Sequence, residues 1–404
     1  PGISQTVKRK FIKVYFAFIV LICFAFILLK AYGPIRIFIT KPSPWSGNSF
    51  VRPELPNYDS NKKTVFIIAD YKLTEMFDML APFYLFNTTK KANVYIVAKD
   101  KTPILIKSHL YVCPQLTFSE ADSMQLTADV IVIPALSARD EHQDTSIIVW
   151  IKKYFTLKTK ILTICDGAST GAATGLYDGK PITCHATDYN SVKAHFCKPL
   201  WIQNISVTKT GNLLSTAGVS NAVEGSLSVI RELFGSETSK KVAADINYPY
   251  EEIRLVHQSI ALNGSDIFAA VKKVFFKSNK DIGILLENGI NEFTMATILD
   301  TYSRTFPASF KTYILHDSTI KTKYGLNIIY TGNNDVKGLD ELHLTMPESF
   351  SIEDSIYFRN ITTVRYDTIQ KQYLFNICLK RISGEYGREF EIFVKTSLDY
   401  NSGF

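Results

Sequence analysis

Short apolar runs alternate with helical patterns between residues 64 and 235. Runs rich in β-branched residues predict buried strands, at "TVFIIAD" (64–70), "NVYIVA" (93–98), "ADVIVIPA" (128–135), "KILTIC" (160–165) and "ISVTKT" (205–210). Longer stretches between and after them predict helices, at 75–86, 145–155, 168–176 and 222–235. Strands separated by helices form parallel sheets that are covered on both faces. We therefore predict an α/β fold, a flavodoxin-like parallel sheet sandwiched by helices, with ligands at the carboxyl ends of the strands.

The pattern begins again after a helical connector at 236–280. "DIGILLENGINEFTMATILDTY" (281–302) parallels the first strand and helix, and "LDELHLTMPES" (339–349) parallels "ADVIVIPALSA". The spacing is similar in the two parts, with 65 residues from Val65 to Val130 and 60 from Ile282 to Leu342. We interpret 281–404 as a second, degenerate half-copy that ends in a long amphipathic helix.

The chain begins with an apolar segment flanked by basic residues. Sixteen apolar residues run from Val14 to Leu29, and as a helix they would span roughly 24 Å of a hydrocarbon core of about 30 Å. The segment lacks a convincing signal-peptide cleavage site, so we expect a transmembrane signal anchor at 14–32, between a basic tail (1–13) and a Pro- and Ser-rich stalk (33–63). The flanking charges favour a single-pass membrane protein with a cytoplasmic N-terminus and the body outside the cytoplasm.

Charge and cysteine spacing exclude several classes of function. The net charge of +7 comes from the seven basic residues in 1–41, and the rest of the chain has 38 basic and 38 acidic side chains. A neutral body without a helix-turn-helix pattern argues against a nucleic-acid partner. The six cysteines show neither zinc spacing nor a disulfide framework, although Cys184 and Cys197 could pair in an oxidising compartment. No nucleotide-binding glycine motif is present, so no cofactor and no metal are expected.

One cysteine lies at a predicted turn from strand to helix. In "KILTICDGASTGAATGL" (160–176) the strand ends at Ile164 and small residues start a helix near Ala168. Such a turn holds its central residue, Cys165, in a strained conformation that points into the crevice, and Gly167 fits because a Cβ would be crowded there. The helix N-terminus would favour the thiolate form. The alternative is that Cys165 is a small buried apolar side chain.

Four motifs in order give the chain a family resemblance over 64–235. They are "FDMLAP" (77–82), "ILTICDGA" around Cys165, "KPITCHATDY" (180–189) and "NLLSTAGVSNAVEGSLSVIRELFG" (212–235). With them the chain resembles the ThiJ/PfpI family of the class I glutamine amidotransferase-like superfamily. The resemblance implies that Cys165 is the reactive residue, that Asp78 hydrogen-bonds its thiol, and that His185, 20 residues further on, is a third member of the site. An Asp at position 78 is similar to the branch with isonitrile hydratase and the sensor domains of AraC-type regulators.

The departures from the family pattern are also informative. The stretch "HATDY" lacks the His-x-Glu of glutamine amidotransferases, so a glutaminase triad is absent. Asp166 stands where the hydratase branch usually has Thr, and its charge would oppose a thiolate. In the second copy Thr294 stands opposite Asp78, and Cys378 lacks a small-residue turn, so we interpret Cys378 as structural. We also interpret Glu224 as structural.

The expected function therefore has alternatives. The first is an enzyme that acts on a small electrophilic substrate by thiolate chemistry, as a hydrolase, hydratase or deglycase. The second is a non-catalytic module that senses a small molecule, and the third is a membrane-tethered scaffold. The expected partners are a small-molecule ligand, a membrane through 14–32, and a copy of the fold, either as an intrachain pseudo-dimer or as a homodimer.

Overall fold

The computed structural model describes residues 53–106, 110–315, 320–332, 336, 338–366 and 371–400, together with short pieces between 15 and 50. No helix in these described parts is long and apolar enough to cross a membrane. Much of the anchor predicted at 14–32, and part of the stalk, lie outside the described residues. The anchor therefore stays a prediction.

The first half of the chain forms a seven-stranded sheet with helices on both faces. Its strand order is β10-β11-β7-β6-β1-β2-β5, in which all neighbours are parallel except β10 and β11. The strands of this half are β1 (Lys63–Ala69), β2 (Ala92–Ala98), β3 (Ile104–Ile106), β4 (Leu110–Val112), β5 (Leu116–Thr117), β6 (Val130–Ile133), β7 (Lys160–Thr163), β8 (Pro181–Ile182), β9 (Leu200–Trp201), β10 (Val207–Thr210) and β11 (Leu213–Thr216). The helices are α1 (Met76–Thr88), α2 (Phe118–Ser123), α3 (Thr145–Tyr154), α4 (Gly167–Ala173), α5 (Tyr189–His195) and α6 (Ala222–Phe234). The predicted parallel α/β fold is confirmed.

The second half repeats the centre of this sheet. Its four parallel strands have the order β13-β12-β16-β17, which matches β2-β1-β6-β7 of the first half. The elements after α6 are α7 (Ser236–Asp245), α8 (Gly264–Phe276), β12 (Asp281–Leu285), α9 (Glu292–Ser303), β13 (Ser309–Tyr313), β14 (Ile320–Lys321), β15 (Asn327–Ile329), β16 (Glu341–Leu344), α10 (Ile352–Tyr357), β17 (Thr362–Arg365), α11 (Leu374–Tyr386) and α12 (Arg388–Ser397). This strand order is the one that a half-copy would have, and the interpretation of 281–404 as a degenerate half-copy stays a prediction.

The long C-terminal helix expected from the sequence is two helices. α11 ends at Tyr386 and α12 begins at Arg388, with Gly387 between them at φ 97°. A residue with a side chain rarely adopts this φ, so the glycine allows the chain to change direction. The apolar periodicity continues across Gly387 because both helices pack on the same core.

Equivalent elements of the two halves pack against each other. Helix α1 contacts α9, its counterpart, and the rings of Phe77 and Phe293 meet edge to face at 5.4 Å. Strand β4 pairs with β15, so that two hairpins form one antiparallel sheet, β14-β15-β4-β3, across the boundary. Helix α1 is buried from Met76 to Phe86, as expected for a helix that is apolar on all sides. One continuous core joins the described parts of the two halves, and the intrachain pseudo-dimer stays a prediction.

Candidate functional site

Cys165 lies on a tight turn between β7 and α4. Its φ is 55°, in the left-handed region that residues with side chains rarely adopt and that costs about 1–3 kcal/mol. Its backbone N–H donates to the carbonyl of Ala217 (2.9 Å), which fixes the turn to the end of β11. A Cβ on Gly167 would lie 2.0 Å from the carbonyl oxygen of Ile133, so the position needs glycine. The strained turn predicted from the sequence is present.

The environment of the thiol favours the protonated form. Cys165 is only 4% exposed, and this burial raises the pKa of its thiol well above the usual value. The charges of Asp78, Asp166 and Glu75 raise that pKa further, whereas Arg139 lowers it. The expected preference for thiolate at the helix N-terminus is therefore wrong for this arrangement, because burial and three carboxyl groups outweigh it.

Asp78 is a fully buried carboxyl group beside this thiol. Its Oδ2 accepts a hydrogen bond from the backbone N–H of Ala135 (3.1 Å), and within the described parts of the chain its Oδ1 has no hydrogen-bond partner. Burial, and then the charge of Glu75, raise the pKa of Asp78, so the group favours its neutral, proton-carrying form. Asp78 acts on the Cys165 thiol through its charge, and the hydrogen bond that the family resemblance implied between these two described side chains is not formed. Asp78 is thus a buried acid with one oxygen available.

His185 follows β8 and is occupied on both ring nitrogens. Thr187 donates its backbone N–H to Nδ1 (3.2 Å), so Nε2 carries the proton and faces the carbonyl of Ser397 at 3.3 Å. Burial lowers the pKa of His185, which keeps the ring neutral. Because its acceptor nitrogen is already used, His185 is a positioning group in this arrangement and not a free base.

Arg139 joins the turn to the histidine loop, and sequence reasoning missed it. Its Nη1 lies 3.0 Å from Oδ2 of Asp166 and 3.2 Å from Oδ2 of Asp188. Asp166 is buried, so this ion pair offsets the charge that the sequence predicted beside the thiol. The arginine follows β6 at the carboxyl edge of the sheet, where ligands of such folds bind. An arginine just after a predicted parallel strand could therefore have been identified as a candidate site residue from the sequence.

Arg304, from the second half, lies beside the acidic residues of the site. Its Nη2 contacts both oxygens of Asp300 (3.0 and 2.9 Å) and lies 3.7 Å from Oε1 of Glu75. Its Nη1 donates to the carbonyl of Ser397 (3.0 Å), the same oxygen that His185 faces. The second half therefore supplies a buried cation to the acidic cluster of the first.

The remaining residues singled out from the sequence are structural. Oε1 of Glu224 accepts a hydrogen bond from the hydroxyl of Tyr248 (2.8 Å) within the core. Cys378 is buried in α11, away from any turn of the kind at Cys165. Among the described cysteines all are free, including Cys184 and Cys197, so the pairing considered for those two is not formed.

Comparisons with known proteins find similarities to the first half of the chain. Residues 62–232 match the model of the DJ-1/PfpI family. An isonitrile hydratase from Pseudomonas putida is 22% identical over 175 residues, 43% of this chain and 74% of that protein. The Parkinson disease protein 7 homolog from Danio rerio is 25% identical over 150 residues, 36% of this chain and 77% of that protein. The crystal structure of an AraC family transcriptional regulator from Pseudomonas putida aligns with TM-score 0.39 and 15% identity, covering 46% of this chain and 99% of that one.

The matched segment contains the strained cysteine turn, the buried acid and the histidine loop, in the order that the resemblance requires. Residues 62–232 of this chain are therefore similar to the DJ-1/PfpI family, over somewhat less than half of the chain.

Proposed function

We propose that residues 62–232 carry a cysteine-dependent site that acts on a small electrophilic substrate, as a hydrolase, hydratase or deglycase. The observation that carries this proposal is the pairing of Cys165, on a strained turn, with Asp78, a fully buried acid that has an available oxygen. Backbone strain and buried titratable groups both lower the stability of a fold. They are therefore retained mainly at functional sites.

The first chemical step follows from the protonation states of these two groups. The sulfur of Cys165 attacks the electrophilic carbon of a carbonyl substrate, an S–C bond forms, and the π electron pair moves to the oxygen. Asp78 donates its proton to that oxygen and takes up the thiol proton, so the net change is addition of S–H across C=O. Arg139 lowers the pKa of the thiol and so stabilises the negative charge that develops on sulfur. No glutaminase triad is needed for this step.

A non-catalytic sensing module is the second candidate. It is favoured by the raised pKa of Cys165 and by the engagement of His185 with Ser397, since both leave the resting site poorly prepared for turnover. In that case the crevice binds a small molecule and the second half responds to it. The membrane attachment predicted at 14–32 stays a prediction, and neither function requires it.

Consumption of small reactive carbonyl compounds and isonitriles by the full chain tests the first candidate. We expect turnover of at least one such compound, reduced to background in Cys165→Ala and by about 100-fold in Asp78→Ala, which removes the proton carrier. Cys197→Ala is the matched control, because Cys197 is an exposed thiol on the same half and should retain full activity.

The outcomes separate the candidates. Turnover that survives in Cys165→Ala contradicts a cysteine-dependent enzyme. Absence of turnover with any compound, combined with saturable thermal stabilisation by one of them, supports the sensing module.

A further inference from the structure

The end of the second half places a carboxylate against donors of the first half. Oδ2 of Asp399 accepts the backbone N–H of Gly218 (2.9 Å) and that of Ala186 (3.3 Å). Its Oδ1 lies 2.9 Å from Nε2 of His257. Asp399 is 2% exposed, and it is far from these partners in the sequence. We call these three donors, on Ala186, Gly218 and His257, the carboxylate nest.

The nest has the chemistry of a carboxylate-binding site. A carboxylate buried without partners costs several kcal/mol, so each oxygen must receive hydrogen bonds. Here one oxygen receives two backbone N–H groups and the other receives an imidazole N–H, since a carboxylate can only accept. The two backbone donors are fixed by the fold and need no side chain to reorganise.

The absence of a side chain at Gly218 leaves the space that the Asp399 side chain occupies. A Cβ at position 218 would lie 2.1 Å from Cβ of Asp399 and 2.7 Å from Cδ2 of His185. The φ of Gly218 is −75°, which any residue adopts, so the requirement is for space and not for backbone freedom. Asp399 itself has φ 50°, so its placement in the nest carries backbone strain.

The nest borders the candidate site. Ala217, directly before Gly218, accepts the backbone N–H of Cys165, and Ala186 directly follows His185. The segment that holds Asp399 also provides the Ser397 carbonyl, which His185 and Arg304 face. Occupation of the nest is therefore coupled to the position of His185 and to the docking of the second half.

We propose that the carboxylate nest is a binding subsite for a small carboxylate anion, and that Asp399 is its internal occupant. When the Asp399 side chain is withdrawn or removed, a free carboxylate takes its place on the same three donors. In the intact chain Asp399 competes with any external carboxylate, so ligand binding requires release of this contact between the halves. The proposal does not depend on the reactivity of Cys165.

Rescue of Asp399→Ala by acetate tests the proposal. The truncation leaves room for acetate, and we expect its melting temperature to rise saturably by about 2 °C or more in acetate or formate, relative to chloride at equal ionic strength. Wild type, whose nest is filled, should show no saturable rise. Asp399→Asn is the matched control, because its amide fills the space and retains an oxygen acceptor, so acetate should not rescue it.

Equal melting temperatures of Asp399→Ala in acetate and chloride overturn the proposal. If Asp399→Ala does not fold in chloride, refolding in acetate decides: recovery of folded protein supports the subsite, and equal failure in both salts overturns it. The same rescue is expected in the double variant with Cys165→Ala. The result is thus independent of whether the cysteine site is catalytic.

Discussion

The two halves share one arrangement of strands but hold buried carboxyl groups in opposite states. In the first half burial raises the pKa of Asp78, and the charges of Glu75, Asp166 and, from the second half, Asp300 raise it further. In the second half Glu341, on β16, contacts Nζ of Lys280 (2.6 Å), Nε2 of His343 (3.2 Å) and the guanidinium of Arg381.

These partners lower the pKa of Glu341 to about 2, although its side chain is as buried as an ordinary core residue. The same fold therefore accepts a neutral or a charged buried acid, and the neighbouring charges decide which. The first half keeps an acid that can transfer a proton, whereas the second uses its acid to hold elements together.

The two halves also differ in the connection that follows the equivalent strands β7 and β17. In the first half three residues, 164–166, join β7 to α4, whereas in the second half β17 ends at Arg365 and the next described helix, α11, begins at Leu374. Cys378 lies inside α11, and Thr294 on α9 stands where α1 has Asp78. The second half has thus lost the tight turn, its thiol and its acid together, and it contributes Arg304 and Asp399 to the site of the first half instead.

Gly167→Ala tests the tight turn that distinguishes the first half, and it should have the largest effect on stability. Its Cβ would meet the carbonyl oxygens of Ile133 and Pro134 at 2.0 and 2.7 Å, and neither backbone group can move freely. We expect a loss of about 4 kcal/mol in the free energy of unfolding, measured by chemical denaturation. Gly264→Ala is the control, since its Cβ would meet nothing within 4 Å and should leave stability nearly unchanged. A small effect of Gly167→Ala would contradict the crowded turn.

Glu341→Gln tests the charged buried acid of the second half through the pH dependence of stability. A folded pKa of about 2 lies below the ordinary 4.5, so the stability that this group contributes is present above pH 4.5 and lost as pH falls toward 2. The variant should be less stable than wild type by about 3 kcal/mol at pH 7, and the difference should vanish near pH 2. Denaturant unfolding at several pH values measures this. A difference that does not depend on pH would contradict the ion cluster.

Asp78→Asn should change the pH dependence of the free energy of unfolding in the opposite direction, and by less than Glu341→Gln. The folded pKa of Asp78 is raised, so its favourable contribution is present below the ordinary pKa and is lost as pH rises through the folded value. The amide keeps an oxygen for the N–H of Ala135 and has no charge to bury. The variant should therefore gain stability relative to wild type as pH rises through the raised pKa of Asp78, as measured by denaturant unfolding at several pH values. A variant that loses stability relative to wild type over the same pH range would argue against a neutral Asp78.

The sequence predicted local features well and long-range features poorly. Strands β1, β2, β6 and β7 and the turn at Cys165 could be predicted because apolar periodicity and small residues are local signals. Arg304 and Asp399 could not be placed, since Glu75 is 229 residues from Arg304, and Ala186 and Gly218 are 213 and 181 residues from Asp399. The contacts of Arg139 with Asp166 and Asp188 depend on how two loops meet, although its place after β6 was a signal in the sequence. The break at Gly387 did leave a signal, since a glycine inside an amphipathic pattern is a common helix end, although Gly384 gave the same signal and lies within α11.

The most direct test of the site is the pH dependence of Cys165 alkylation by iodoacetamide, followed by mass spectrometry in wild type and Asp78→Asn. Cys197, an exposed thiol in the same chain, is the internal reference. We predict that Cys165 in wild type reacts only above the usual thiol range of about 8.5, at a pH where Asp78 has also lost its proton and its charge opposes the thiolate. Asp78→Asn, which carries no charge at any pH, should move the titration of Cys165 to lower pH without changing Cys197. A Cys165 that titrates at or below that usual range, or that does not respond to the loss of the Asp78 charge, would contradict a buried thiol controlled by this acid.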